Sequence, residues 1–389
     1  MHKRVKTWGG AAALLVVVAT SAGAASAGTA SPAAPSAVPE ATASFNGTVR
    51  VVDYHGRVAY VGGDFTTASQ GGVTYQRRHL AAVDATTGAL LPWNPGANRS
   101  VQALRVRRTW TYVGGTFTRV HGHRHVGLAR VATRTGTVDA TFRPEVSGNV
   151  RALAVSRTTL YAGGGILKTA GHKLQHLAAF RLRTGALRRS WHARTDGGVN
   201  VLSIAHRRLY VGGAFHHVNG LVRGHRLAPL GLRTATLERG YYSSVHYPVY
   251  DLVVGATRIY AAADGPGGHV LALGLKGSAR WNLTTDGGAH AITLLGRTVY
   301  VGGHFDNTCT SAHPGVAGGC ATGMVLRRKF LAAAVRDGAL QAWAPQADSA
   351  LGTLSIDSST ATDQIVAGGA WTTFDKQVVQ PAFAEFGPS

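Results

Sequence analysis

Four groups of basic and imidazole residues recur along the chain: Arg77, Arg78 and His79; His121, His123, Arg124 and His125; His172 and Lys173; His216, His217 and Arg223. Guanidinium groups suit bidentate contact with carboxylate or phosphate, and imidazoles add charge below about pH 6.5. Gathered on one face they would form an anion-binding rim; on separate loops they would be ordinary solvated charge. His121, His123 and His125 alternate as zinc or copper ligands could on an extended segment, but Gly122 predicts a turn, so no metal is expected. Asp196 and Asp286 each precede Gly-Gly. Acids of a glycoside hydrolase need a defined separation, and turn formation accounts for both steps. Cys309 and Cys320 lie in a Gly-rich stretch, where a disulfide stapling the loop is the simplest outcome; two thiols and His313 do not complete a metal site. The chain has no Gly-x-Ser-x-Gly elbow, His-Glu-x-x-His helix or catalytic-cysteine motif. Lys168-Thr169 follows Leu167, not the glycine that a phosphate loop needs.

The elements that position these residues follow from an internal repeat. Tyr-Val-Gly-Gly followed by an aromatic recurs at Tyr60–Phe65, Tyr112–Phe117, Tyr210–Phe215 and Tyr300–Phe305, with weaker copies from Tyr161, Tyr260 and Val366. The intervals run from 40 to 66 residues about a mean of 51, and the long last one contains the cysteine loop. Each unit holds four short runs rich in β-branched and aromatic residues, separated by turns such as Thr87-Gly88, Thr135-Gly136 and Thr184-Gly185. No long helical periodicity appears. Four strands in a unit of this length predict a β-propeller blade, so the expected fold is an all-β, seven-bladed propeller of four-stranded blades. A parallel β-helix would repeat over a shorter span. The paired glycines imply tightly packed blade backbones, with Tyr and Phe between blades. Units end on Trp93, Phe142, Trp191, Trp281 and Trp343; the last lacks a fourth run, which Thr42–Phe45 is expected to supply.

In such a ring the loops joining second to third strands share a face with those joining fourth to first. The basic groups fall in the former. The first residues of the innermost strands, Arg50, Gln102, Arg151, Asn200, Tyr250 and His290, would border the channel mouth. That ring is polar and varied, as a ligand site or a water-filled channel would be.

The stretch Ala129–Leu153, ARVATRTGTVDATFRPEVSGNVRAL, resembles the delta-60 repeat propellers of bacteria, and the Tyr-Val-Gly-Gly copies belong to the same pattern. The likeness spans about 45–386. It implies a secreted or surface propeller, mostly without assigned activity, and lends no catalytic residues. A second stretch, LAAVDATTGALLPW from Leu80 to Trp93, looks like the blade motif of quinone-dependent dehydrogenases. That family's eight blades, adjacent cysteines and calcium carboxylates are missing, so the motif is taken as strand, turn and docking Trp.

The address comes from the N-terminus. Lys3, Arg4 and Lys6 precede an apolar run from Ala11 to Ala19 and the small residues Ala25-Ser26-Ala27, as in a secretory signal. The expected organisation is a signal over 1–27, a flexible Ala/Ser/Pro leader over 28–43 and the propeller over 44–389. The chain carries 40 Lys and Arg against 18 acids, a net charge of +22. Without the three signal cations about +19 remains, a balance that favours anionic partners or reflects an Arg-rich composition. The expected function is a secreted or cell-surface binding module for an anionic cell-wall polymer, an acidic polysaccharide or a partner protein. A monomer without cofactor, transmembrane anchor or specific nucleic-acid partner is expected. The alternatives are a quinone-dependent dehydrogenase-like or glycan-active enzyme, which is less favoured, and a structural surface scaffold.

Overall fold

The computed structural model describes residues 34–169, 171–313 and 319–389; the expected signal segment lies outside the described residues. Among them no helix is long and apolar enough to cross a membrane.

Within each repeat, short apolar runs meet across tight turns and pair antiparallel. Val49–His55 pairs with Val58–Gly63, which pairs in turn with Leu80–Asp84. Among the described residues seven such units follow one another. Their first strands are Val49–His55, Val101–Val106, Val146–Val155, Val199–Ala205, Val249–Val254, Ala289–Leu295 and Thr353–Ser359. These strands are neighbours in chain order, and Thr353–Ser359 also lies against Val49–His55.

The motif's first glycine faces the next unit. A Cβ on Gly62 would stand 2.6 Å from Val101 Cγ1, and one on Gly368 would stand 2.3 Å from Val49 Cγ1. The fifth unit reaches the same spacing differently: Ala262 stands where the others have glycine, and Ala289 follows where they have Val or Thr. That unit is also short because residues 264–267 alone join its second and third strands. Most of the others carry a ribbon there, such as Thr67–Gln70 with Val73–Gln76, and the fourth has a longer connection with a single bridge and a 3-10 turn.

Aromatic residues latch several units to their successors. Tyr60 meets Trp93 edge-on at 5.1 Å. Both donate hydrogen bonds to the end of the next unit's third strand, Tyr60 Oη to Thr133 O at 3.0 Å and Trp93 Nε1 to Ala132 O at 3.1 Å. Tyr161 and Trp191 repeat this on Leu232 and Gly231. Burying the rings while satisfying their polar tips is what makes such residues efficient between layers.

The expected four-stranded blade needs correction. A full fourth strand, Ala279–Thr285, occurs only in the fifth unit among the described residues. Elsewhere the fourth run makes a single bridge, such as Val83 with Leu90 or Val131 with Val138, and then leaves the sheet. The aromatic latch three or four residues later draws the chain towards the neighbouring unit.

Residues 34–43, expected as part of a free leader, are instead held by the last unit. Pro35 bridges Pro388, Ser36 N donates to Gly387 O, and Glu40 N donates to Glu385 O at 2.8 Å. Trp343 Nε1 donates to Ser36 O at 2.9 Å, as the other latching tryptophans do to third-strand ends. The segment beside the last strand is therefore 35–40. Phe45, the expected centre of that strand, packs on Phe383, while Ser44–Phe45 pairs with Thr67–Gln70 of the first unit. Phe45 occupies the connector position that Ala97 and Ala347 occupy elsewhere.

Cys309 and Cys320 form a disulfide in the ribbon region of the sixth unit.

Candidate functional site

Every first strand begins with a β-bulge. The register skips one residue between Val49 and Val51, and again at the same place in the other six units. The residues skipped are Arg50, Gln102, Arg151, Asn200, Tyr250, His290 and Leu354. A bulge residue is unpaired and its side chain is re-aimed. All seven strands line one central cavity of about 620 Å³, which the expected six mouth residues and Leu354 border together. The second glycine of the motif lies beside the bulge: a Cβ on Gly63 would stand 2.1 Å from Thr48 O, the carbonyl that Asp64 N caps. The fifth unit keeps its bulge with Ala263 at this place.

The bulge residues have different partners. Arg50 is bound to Asp64 at 2.6 Å. Burial would raise the Asp64 carboxyl, but Arg50 and Ser100 outweigh it and hold the group below its usual range. Arg151 is exposed, with Nη1 3.5 Å from Asn200 Oδ1. Asn200 Nδ2 donates to Val249 O at 3.0 Å. Tyr250 donates to Asp264 Oδ2 at 3.3 Å and lies 4.9 Å from the His290 ring. Burial and then Asp264 push the Tyr250 hydroxyl upward, with Arg151 opposing them. His304 Nε2 accepts from Gly288 N, so its proton sits on Nδ1, 3.2 Å from His290 Nε2. Burial, and then His304, lower His290 to about 4, so it is neutral at ordinary pH.

Deeper in the cavity wall lie Asp53, Asp251 and Asp357. Each accepts a backbone N–H from the next unit's first strand: Val106, Ile292 and Tyr54 respectively. Asp53 also pairs with Arg105 at 2.7 Å. Desolvation by burial raises Asp251 and Asp357 to about 7.

Side chains in the connectors hold the ribbons in place. Asn46, Asn98, Asp196, Asp286 and Asp348 each accept two successive backbone N–H groups from the following ribbon. Asp196 and Asp286 thus bind one unit to the next, a wider role than the local turn expected for them. Burial would raise Asp196, but these N–H groups and His217 hold it at about 2.

The twelve expected rim residues sit in the second-to-third connections, with unequal freedom. Arg78, His121, His123 and His216 are exposed. Arg124 is exposed and pairs with Glu145 at 3.1 Å. Arg77 donates to Gln76 O and Leu91 O beside Tyr75. His172–Lys173 pairs through its backbone with Thr169 and Lys168. His217 is bound to Asp196 at 2.7 Å. Arg223 donates to Glu238 O and Tyr241 O, both at 3.0 Å. His79 takes φ 66° and reaches back to Gly63 O at 2.9 Å.

His125 is buried with neither ring nitrogen partnered, and burial, then Arg143, lowers its pKa. It therefore adds no charge to the rim. His121 lies in the left-handed turn that Gly122 foretold, and the imidazole triplet is not gathered. Among the described residues no three His, Cys, Asp or Glu side chains are grouped to hold a metal.

Two sets of residues have roles that the sequence did not assign, although His79 was expected at the rim. Asp64, Asp264 and His304 follow the glycine pair or its Ala replacement, a column readable once the bulge is known. His79, His176, Arg226 and Lys329 share a left-handed position before the third strand. Their side chains each cap a carbonyl at the end of the second strand.

No family model and no curated protein matches the chain. Among solved structures it is similar to the WD40 beta propeller domain of Doa1, with 10% identity over 90% of this chain and 97% of that one and a TM-score of 0.57. It is also similar to the computationally designed Ika8 protein, with 13% identity, 90% and 100% coverage and a TM-score of 0.52. The fold is a β-propeller. At such identity the likeness extends to architecture and no further.

Proposed function

We propose that the protein is a secreted binding module that holds anionic polymers on its ribbon-and-connector face. The seven units would act as blades of one closed propeller of the delta-60 repeat kind, with residues 35–43 completing the outer side of the last blade. Contacts between Thr353–Ser359 and Val49–His55, and those of Ser36 and Glu40 with the last unit, support that closure. The signal-like N-terminus supports export, and a cut after Ala27 would keep every residue the last unit uses. N-terminal sequencing of the exported chain should then begin at Gly28; an intact Met1 would overturn it.

One observation carries the binding reading: Arg78, His121, His123, Arg124 and His216, all in second-to-third connections, are exposed to water. Such residues concentrate positive potential where a ligand would approach. The test is retention on an immobilised glycerol-phosphate polymer at fixed salt. Arg78→Glu with Arg124→Glu should elute earlier than the wild type, and unchanged elution would sink the proposal.

A further inference from the structure

The mouth is not uniform around its circumference. Arg50 is neutralised by Asp64, and Leu354 beside it is apolar. On the opposite arc Arg151, Asn200, Tyr250 and His290 come from four successive units. Among the described side chains Arg151 has no acidic partner within ion-pair distance. Its nearest polar neighbour is an amide, and Tyr250 is 37% exposed one unit beyond Asn200. The fifth unit, which supplies Tyr250, joins its second and third strands through residues 264–267 alone, the shortest such connection among the described units.

We propose that this arc is a subsite for a carboxylate-bearing sugar, a uronic acid residue of an acidic polysaccharide. The idea rests on the binding-module reading but concerns a different part of the face. Arg151 takes the carboxylate in its planar fork, Asn200 and Asp264 meet ring hydroxyls, and the exposed Tyr250 face receives the sugar's C–H side. A cavity of about 620 Å³ falls within the usual range for small-ligand sites, about 300–1,000 Å³. A singly charged, hydroxyl-rich ligand suits the place better than a phosphate. Only one uncompensated cation faces it, and Asp53, Asp251 and Asp357 line the same cavity below. A sugar ring keeps most of its polar surface neutral and so asks for no second cation.

The experiment is calorimetric titration of the full exported chain with a galacturonate trisaccharide, the matching neutral galactose trisaccharide and a glycerol-phosphate trimer. Arg151→Ala and Tyr250→Ala should each weaken galacturonate binding about tenfold or more, since each removes a charge-assisted or stacking contact. Both side chains are exposed, so melting temperatures should stay at the wild-type value. Arg78→Glu with Arg124→Glu should leave the trisaccharide affinity within about twofold while reducing polymer retention. Loss of polymer retention as the sole failure would remove the rim reading and leave this subsite standing. The subsite is overturned if the wild type does not bind the galacturonate, if either alanine variant binds it as the wild type does, or if the neutral sugar binds equally well. Equal binding of the glycerol-phosphate trimer would overturn the carboxylate assignment.

Discussion

The cavity wall and the outer ribbons draw on similar residues and use them in opposite ways. In the wall, Asp53, Asp251 and Asp357 accept backbone N–H groups from the neighbouring unit, and Arg105 is bound to Asp53. In the ribbons Arg78, His121 and His123 face water. Inside, charge is spent on joining units; outside, it is left for a partner. The difference explains why an excess of cations need not mean a uniformly basic surface. Several of them, Arg77, Arg105 and Arg223 among them, are already engaged.

The largest effect should come from the layer between units. Trp93→Ala removes a ring packed on Tyr60 and a hydrogen bond to Ala132. A cost of about 3–5 kcal/mol is expected in denaturant unfolding. Tyr75→Ala, at a half-exposed ribbon tip, should cost less than about 0.5 kcal/mol. If the two losses were equal, the contrast between wall and ribbon would fail.

The acids of the interior give the next effect, and its sign is fixed by their protonation. Asp251 and Asp357 are raised to about 7 and Glu385 to about 8, desolvation being the main cause in each. The folded state therefore holds protons that the unfolded chain releases near pH 4. Stability from these groups is highest in acid and falls as pH rises through about 4 to 8. Thermal melts of wild type and Asp251→Asn should diverge across that window, the variant losing less stability as pH rises. Histidines titrating on the surface act on both proteins, so the difference between the curves isolates Asp251. A difference that does not change with pH would show that Asp251 is not protonated in the fold.

At the ribbons, the double reversal of Arg78 and Arg124 should change unfolding free energy by less than about 0.5 kcal/mol while lowering polymer retention. A marked loss of stability would place these side chains in the same structural role as the wall.

The propeller architecture was legible because its cause recurs. Gly62 and its counterparts must let the next unit approach, so the pair returns about every fifty residues with Tyr beside it. The mouth residues could be aligned as a column for the same reason. Their bulges could not, because a bulge is a matter of register between two strands, as where Val49 pairs with Gly63 and Val51 with Gly62, and has no local signature. The reduced fourth strand was equally hidden. Leu90 and Val138 have strand-like neighbours, and only the docking of Trp93 or Phe142 on the adjacent unit draws the chain off the sheet. Residues 34–43 have a linker's composition, and their order comes from Glu385, Gly387 and Trp343 at the far end of the chain. The roles of the basic loops depended on which backbone carbonyls lay within reach, as His79 and Arg223 show.

A last effect sharpens the comparison where wall and ribbon meet. Asp196 sits in a connector, exposed to water like a rim residue, yet it accepts His216 N and His217 N, both at 2.8 Å, as an interior acid would. Its carboxyl is held at about 2, so its contribution is present above the unfolded value near 3.8 and is lost as pH falls towards 2. Asp196→Ala leaves two N–H groups to water and should cost about 1 kcal/mol at pH 7. Asp196→Asn keeps a side-chain oxygen for both donors and loses only the exposed His217 pair, so it should recover most of that loss. If Asp196→Asn were as damaging as the alanine, the ion pair and not the backbone cap would be the link between these two units.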